Sequence, residues 1–522
     1  MKTGINYKIY VISLIVLLFS SLSVNAATYY VATNGSDSNP GTETLPWMTL
    51  TKASNTVVAG DTVIVKAGKY IDSNGNMDNG FFNPANSGTA SAPITFKSEP
   101  RLAAILAPKA TGVDPAMDIF KRSYIIIDGF KSEGMILVMS SDHVTVQNCE
   151  VIYGSTIYQD PSLNWGIALE GTSYTTVRNN YVHNMLNSGN AWHNTAGIMV
   201  FGGAVGSSGF SSYNIIENNL VDAGGGTVYS AYGQKAGKLN NNTWRNNIAR
   251  NATTGFLGKG STDLTQYSDY NEYYNNIIYD TKYPFELAYC SRWSNIHNNT
   301  AYNCTRFLTS NDYAPTQYNN IGVQSWNNIV ANCASGYFQP TNVLAEWMAL
   351  LSTANYNDFS NTPNIASWNW GSSNYTTIAD WKTATGFDNN SFSVDPLFVD
   401  ASLKNFHLQG GSLLKGKGKS GEDIGAYATG NEQIGPDWQL TDGGGGGNTP
   451  PPPSGSGGDS GGGSGGGGCG YIKNNDGKGQ KAKGEGLSFA IMLVIALIGI
   501  TLARRIFSLK EFILYKYISV FL

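Results

Sequence analysis

One phrase recurs through residues 144–358 and limits what the chain can fold into. A β-branched or aromatic residue, usually with one spacer, precedes Asn-Asn or a near match. It reads Val146-Gln147-Asn148, Val177-Arg178-Asn179-Asn180, Ile216-Glu217-Asn218-Asn219 and Trp244-Arg245-Asn246-Asn247. It continues as Tyr274-Asn275-Asn276, Ile296-His297-Asn298-Asn299, Trp326-Asn327-Asn328 and Tyr356-Asn357-Asp358. From Asn180 onward the phrases end 39, 28, 29, 23, 29 and 30 residues apart. Periods of about 20–50 residues mean a solenoid, a propeller or an array. Between the Asn pairs lie short β-type runs such as Ile277-Ile278-Tyr279 and Ile329-Val330, bounded by Gly, Asn, Asp or Ser. No window shows sustained apolar spacing at i, i+3, i+4, i+7, which argues against helical repeats. Three short strands and three turns per period predict an all-β chain wound as a right-handed parallel β-helix. Asn suits its corners, because it tolerates left-handed backbone and its amide bonds nearby peptide groups. Coils stack about 4.8 Å apart, so equivalent amides can form a ladder.

Composition agrees. The chain has 522 residues, 61 of them Gly, with 12% aromatic and only 13% charged residues, as in an extracellular β protein. A net charge of −4 with no basic stripe excludes a nucleic-acid footprint, and the chain is read as a monomer. Cys304 and Cys333 occupy matching places, five residues after the Asn pair of their coil. They are expected as a stacked pair of buried thiols rather than a disulfide. No CxxC pair supports a zinc site.

Residues 1–26 read as a signal peptide: Lys2 and Lys8, an apolar core over 9–19, and the small-residue site Val24-Asn25-Ala26. The next segment runs Thr28-Tyr29-Tyr30-Val31-Ala32, then Asn34-Gly35-Ser36-Asp37, Pro46-Trp47-Met48-Thr49-Leu50 and Gly60-Asp61-Thr62-Val63-Ile64-Val65. It resembles the opening of secreted bacterial right-handed β-helix proteins of the pectate-lyase-like superfamily. A strand, a turn and a short amphipathic helix over 50–58 are expected to cover the first coil, which would otherwise expose core and strand edges. Residues 27–430 form the β-helix domain in this reading. Helical spacing is expected over 341–354, from Val343, Leu344, Trp347, Met348 and Leu351. The later segments Ser393-Val394-Asp395-Pro396-Leu397-Phe398 and Asp423-Ile424-Gly425-Ala426-Tyr427 resemble the C-terminal ending of secreted β-helix proteins acting on polysaccharides, and are expected to cap the far end.

Residues 431–486 are a Gly/Ser/Pro-rich linker that cannot bury a core. An apolar stretch at 487–503 is near the short limit for crossing a bilayer, and Arg504-Arg505 opens a basic, apolar tail over 504–522. The order Gly-rich tract, Cys469, apolar helix and Arg pair resembles the C-terminal sorting signals of bacterial surface proteins. That likeness implies export, anchoring to the membrane or cell surface, and release after a cut near Cys469.

The superfamily resemblance places a site on the outer face of one sheet, where alternate residues point out. Aligning 197–201, 228–232, 256–259, 285–288 and 307–310 with Phe256, Phe285 and Phe307 inward leaves Leu257, Lys259, Glu286, Ala288, Leu308 and Ser310 outward. Lys259 and Glu286 then share one face on adjacent coils, Lys235 sits at the rim one coil earlier, and Arg292 at the turn beyond Glu286. Elimination on a uronate polymer needs a base for the proton α to the carboxylate, and cations or a metal for the enolate. Lys259 resembles the base of β-helix lyases in placement. Cofactors stay unknown: calcium is left open, with no acidic cluster to hold it. A Lys works as a base near neutral pH when cations or desolvation favour its neutral form, and Glu286 opposes that. Trp192, His193, Tyr229 and Tyr232 are the candidates for sugar binding. Two alternatives stand beside the lyase. A glycoside hydrolase would draw on Asp222, Asp263, Asp269, Glu272 and Asp280. A non-catalytic adhesin or glycan-binding stalk would use exposed tyrosines, including Tyr267, Tyr270 and Tyr273.

Overall fold

Each turn of the chain lays down three strands, and each strand pairs in parallel with its counterpart one turn later. The computed structural model describes residues 26–71, 82–108, 115–152, 164–185, 195–202, 210–233, 238–260, 267–310, 321–339, 349–368 and 373–437. All belong to one unit, Met1–Ser454; a second, Gly455–Leu522, lies wholly outside the described residues. The signal peptide, Lys235, Trp192, His193, Asp263, Cys469 and the apolar stretch at 487–503 also lie outside them. No described helix is long and apolar enough to cross a membrane.

The first sheet contains Thr145–Gln147, Thr176–Arg178, Ile215–Glu217, Thr243–Arg245, Glu272–Tyr274, Asn295–His297 and Val323–Trp326. The second contains Glu150–Ile152, Tyr181–His183, Leu220–Asp222, the first halves of Ile248–Lys259 and Ile277–Ala288, then Thr300–Tyr302 and Ile329–Ala331. The third contains Ile136–Met139, Asn164–Glu170, Thr195–Gly202, Thr227–Gly233, the second halves of the two long strands, Arg306–Ser310 and Ser335–Gln339. The predicted all-β parallel solenoid is therefore the fold.

The Asn pairs mark the corner between the first and second sheets, and their two members divide the labour. The first takes the left-handed backbone: Asn179, Asn218, Asn246, Asn275, Asn298 and Asn327 have φ between 51° and 57°. Asn is among the few residues that visit this region at low cost. The second points inward. Asn180, Asn219, Asn247, Asn276, Asn299, Asn328 and Asn357 are fully buried. Each Nδ2 donates to the Oδ1 of the next rung at 3.0 or 3.1 Å. Each Nδ2 also donates to a backbone carbonyl of an earlier coil, as Asn276 does to Trp244 at 3.0 Å. Every burial cost of an amide is thereby offset. The last phrase is shifted by one residue: Tyr356 carries the positive φ of 57° and Asn357 joins the ladder. The ladder closes on Asp388, whose Oδ1 accepts Asn357 Nδ2 at 3.0 Å while its Oδ2 accepts Trp381 Nε1 at 3.0 Å. Burial pushes the Asp388 carboxyl upward, and the hydrogen bonds it accepts only partly reverse this.

Between the rungs, aliphatic and aromatic side chains stack in the same columns; Tyr229, Phe256 and Phe285 lie 4.8 and 5.2 Å apart, centroid to centroid. Cys304 and Cys333 are buried free thiols. At the N-terminal end, helix Leu50–Thr56 is capped by the Thr49 side chain and buries Leu50 and Ala53 over the first coil. Two expectations need correction. Of the helix expected over 341–354, residues 341–348 lie outside the described residues and 349–350 are helical, but 351–354 are not: Leu351–Asn355 is a strand pairing with Val323–Trp326, because a solenoid edge offers hydrogen bonds that outweigh a short helical pattern. The C-terminal segment also does more than cap. Helix Ile378–Thr385 buries Trp381 against the last coil, where it packs on Tyr337. Residues beyond it then run back along the second sheet, where Phe406 and Tyr427 cover Ile277 and Tyr279.

Candidate functional site on the third sheet

The third sheet bends at a column of inward-facing corner residues, including Gly255, Pro284, Phe307 and Gly336. A Cβ on Gly255 would meet Pro284 O at 2.6 Å, and one on Gly336 would meet Phe359 at 2.6 Å, so no side chain fits at either position. Residues just before the corner face outward: Thr254, Tyr283, Arg306 and Ser335. Beyond it, Phe256, Phe285, Leu308 and Tyr337 turn into the core. The next outward column is Ser230, Leu257, Glu286, Thr309 and Phe338 in direct register. Lys259 follows two residues after Leu257, opposite Ala288.

Lys259 and Glu286 therefore share the outer face on adjacent rungs. From strand rise and rung spacing, their Cα atoms are about 8 Å apart. Glu286 is 1% exposed, and its Oε2 accepts a 2.6 Å hydrogen bond from Thr254 Oγ1. Lys259 is partly exposed, with Nζ 5.6 Å from the centre of the Tyr289 ring. The Phe307 strand is corrected by one residue: Phe307 occupies the corner, so Leu308 points inward and Thr309 takes the outward place beside Glu286. Ser230 and Thr309 are buried on this face, and their hydroxyls have no hydrogen-bond partner among the described residues.

The other candidates are scattered. Arg292 is on a different surface, in a small sheet of Phe210–Ser212, Lys238–Asn240, Ser268–Asp269 and Ser291–Arg292. Its Nε donates to Asp269 Oδ1 at 2.8 Å, and its guanidinium lies 3.6 Å from the Tyr267 ring centre. Burial lowers its pKa, but hydrogen bonding and charge attraction from Asp269 outweigh that and raise it, as expected of a structural ion pair. Tyr229 is not a surface sugar platform: it is 1% exposed, stacked on Phe256, and its hydroxyl donates to Asn219 O at 3.1 Å. Tyr273 is equally buried, whereas Tyr270 is 52% exposed. Tyr232 lies in register with Lys259, and its side chain is outside the described residues. Among the hydrolase carboxylates, Asp222 pairs with Arg250 at 2.9 Å and Asp280 with Lys404 at 3.2 Å. Glu272 accepts from Asn295 on the first sheet. None of these joins Glu286.

Arg306 escaped the sequence reading. It lies one rung beyond Glu286, half-buried, with its guanidinium 3.3 Å from the Phe338 ring centre and 5.6 Å from that of Tyr283. Its guanidinium makes no hydrogen bond or ion pair among the described residues. Burial lowers its pKa, opposed by the nearby Tyr283. A guanidinium held on aromatic faces with its N–H donors unspent suits a carboxylate. Its position immediately before Phe307, as Thr254 precedes Gly255, was the available signal. No group of three or more His, Cys, Asp or Glu residues converges as a metal site among the described residues.

Residues 33–78 match a family described as a protein of unknown function, DUF1565. The uncharacterized protein YwoF of Bacillus subtilis (strain 168) is 39% identical over 69 residues. That match spans 13% of this chain and 13% of YwoF. Among solved structures, pectate lyase Pel9A aligns over 77% of this chain and 96% of its own, at 16% identity and a TM-score of 0.45. Alginate lyase from Paenibacillus sp. str. FPU-7 aligns over 60% of this chain and 95% of its own, at 16% identity and a TM-score of 0.40. A rhamnogalacturonan lyase aligns over 60% of this chain and 82% of its own, at 18% identity and a TM-score of 0.38.

Proposed function

We propose that the solenoid, coiled right-handed, acts on an acidic polysaccharide laid across the rungs of the third sheet, and cleaves it by β-elimination. One observation carries the reading. In a chain with few charges, Lys259, Glu286 and Arg306 stand on three successive rungs of the third sheet, Lys259 and Glu286 beyond its corner and Arg306 just before it. Lys259 is the base, taking the proton α to a uronate carboxylate; the C–O bond β to that carboxylate then breaks, and the leaving oxygen takes up a proton. Arg306 holds the carboxylate as negative charge builds on it. Glu286, buried and held by Thr254, positions neighbouring groups rather than meeting the polymer. Lys235, Trp192 and His193 remain proposals as rim and sugar contacts.

The test is ultraviolet absorbance of new unsaturated chain ends during incubation with uronate polymers. Absorbance that rises with wild type and not with Lys259→Ala supports the reading; equal rates, or no product from any uronate polymer, sink it. Exposed aromatic side chains such as Tyr270 favour a second reading, a glycan-binding stalk without chemistry. We further propose export through residues 1–26 and surface anchoring through 487–503. A chain lacking 487–522 should appear in the medium; if it stays with the cells as firmly as the full chain, the anchor is wrong.

A further inference from the structure

The corner between the small sheet and the first sheet repeats one device. Tyr124, His143, Tyr174, Tyr213, Asn241, Tyr270 and Trp293 occupy equivalent places in successive coils, all with left-handed backbone, φ from 52° to 58°. Such backbone turns the side chain outward, and the rings stack along the solenoid. Tyr124 to His143 is 4.6 Å, His143 to Tyr174 is 5.0 Å and Tyr174 to Tyr213 is 5.2 Å. On the far side Tyr270 and Trp293 are 4.9 Å apart. The column is broken once, at Asn241. Tyr213 and Tyr270 are therefore about two rungs apart, on the order of 9–10 Å. Each has one face covered by its stacked neighbour and the other turned toward the Asn241 rung.

The Asn241 side chain is shorter than a tyrosine. Its amide reaches only the inner part of the rings, and makes no hydrogen bond among the described residues. The result is a notch one ring thick, walled by Tyr213 and Tyr270 and floored by an amide that can both donate and accept. The rings are exposed at 50% and 52%. The ion pair in the next column, Asp269 with Arg292, is satisfied within itself. We infer that this notch binds one neutral pyranose ring of a glycan. A pyranose has apolar C–H faces for the two aromatic walls and a hydroxyl edge for the amide. A purely apolar aromatic ring would leave the amide unmatched, and a uronate would find no unspent cation among the described neighbours. The site lies on a different surface from Lys259 and does not depend on elimination.

The experiment is affinity electrophoresis of the full chain in gels containing soluble xylan, mixed-linkage glucan or galactomannan. Asn241→Tyr completes the aromatic column and fills the notch without removing either wall; Tyr270→Ala removes one. At least one neutral polysaccharide should retard the wild type and Lys259→Ala alike. Retardation should disappear in Asn241→Tyr, and affinity should weaken about tenfold in Tyr270→Ala, the equivalent of one lost aromatic contact. Thermal melting confirms that each variant is folded, and Tyr213→Ala replaces any that is not. A wild type retarded by none of these polymers overturns the inference, and so does an Asn241→Tyr chain retarded as strongly as wild type. Loss of uronate cleavage in Lys259→Ala with retardation intact separates this site from the proposed lyase face.

Discussion

The inward Asn ladder between the first and second sheets and the hydroxyls Ser230 and Thr309 on the outer face of the third sheet are buried to nearly the same depth, yet are treated in opposite ways. At the corner, Asn276 accepts from the backbone and amide of Asn247 at 3.0 and 3.1 Å, and donates to Asn299 Oδ1 and Trp244 O at 3.0 Å each. On the outer face, Ser230 and Thr309 bury hydroxyls with no partner among the described residues. Arg306 is half-buried with its guanidinium against the Phe338 ring. A group buried and satisfied holds the coils in register; one buried and unmatched costs stability, and such costs concentrate where a protein binds or reacts. The difference sets the bonded amides of the ladder apart from the unmatched hydroxyls of the outer face; unmatched atoms also occur elsewhere, as at Asn246 Oδ1 and Asn298 Nδ2 of the same corner.

The largest effect expected bears on the working face. Lys259→Ala should slow elimination by about 10²–10⁴, the usual loss for a general base, with an unchanged melting profile. A parallel loss of stability would move Lys259 to the scaffold side. Next comes the ladder. Asn276→Ala removes the acceptor of the buried Asn247 N–H and of one of its Nδ2 protons, and should cost about 2–6 kcal/mol in denaturant unfolding. A cost below 1 kcal/mol would mean that the ladder only decorates the corner.

A third test uses pH. Burial raises the Asp358 carboxyl to about 7, with the Val394 N–H opposing it and Asp395 adding to it. The folded pKa exceeds the unfolded value near 4, so this contribution is fully present below about pH 4 and is lost as pH rises through 7. Asp358→Asn should remove that slope, a difference of about 3–4 kcal/mol across the window. Parallel stability curves for both proteins from pH 4 to 7 would refute the assignment. The smallest effect is expected at Thr309→Val: its hydroxyl has no partner to lose, so stability should stay within about 1 kcal/mol of wild type or rise. A ladder-sized loss there would erase the contrast between the two regions.

Lys259 and Glu286 could be placed together from sequence because Phe256 and Phe285 anchor strands of identical phase, and the alternation of side chains does the rest. The same logic failed at Phe307. There the corner takes one residue, so a bulky aromatic that looks like a strand anchor is a corner residue and Leu308 carries the phase. Tyr229 misled for a related reason: a tyrosine in register with Phe256 is core, whatever its hydroxyl suggests. The second ladder, Asn214, Asn242 and Asn271, went unread although each lies five residues before a member of the first.

The sequence alone determined the parallel solenoid, its corner and its core ladder. Those rest on local requirements repeated at fixed spacing: a residue that tolerates left-handed backbone, then a side chain able to bond the same group one coil away. Tertiary structure alone decided which charges meet. Arg292 lies six residues after Glu286 along the chain and Arg306 twenty, yet the more distant one shares its sheet. One bend takes Arg292 round to another surface, where Asp269 holds it, while the next coil brings Arg306 back onto the sheet of Glu286. Where a turn falls sets the direction of everything after it, and that direction depends on coils packed above and below.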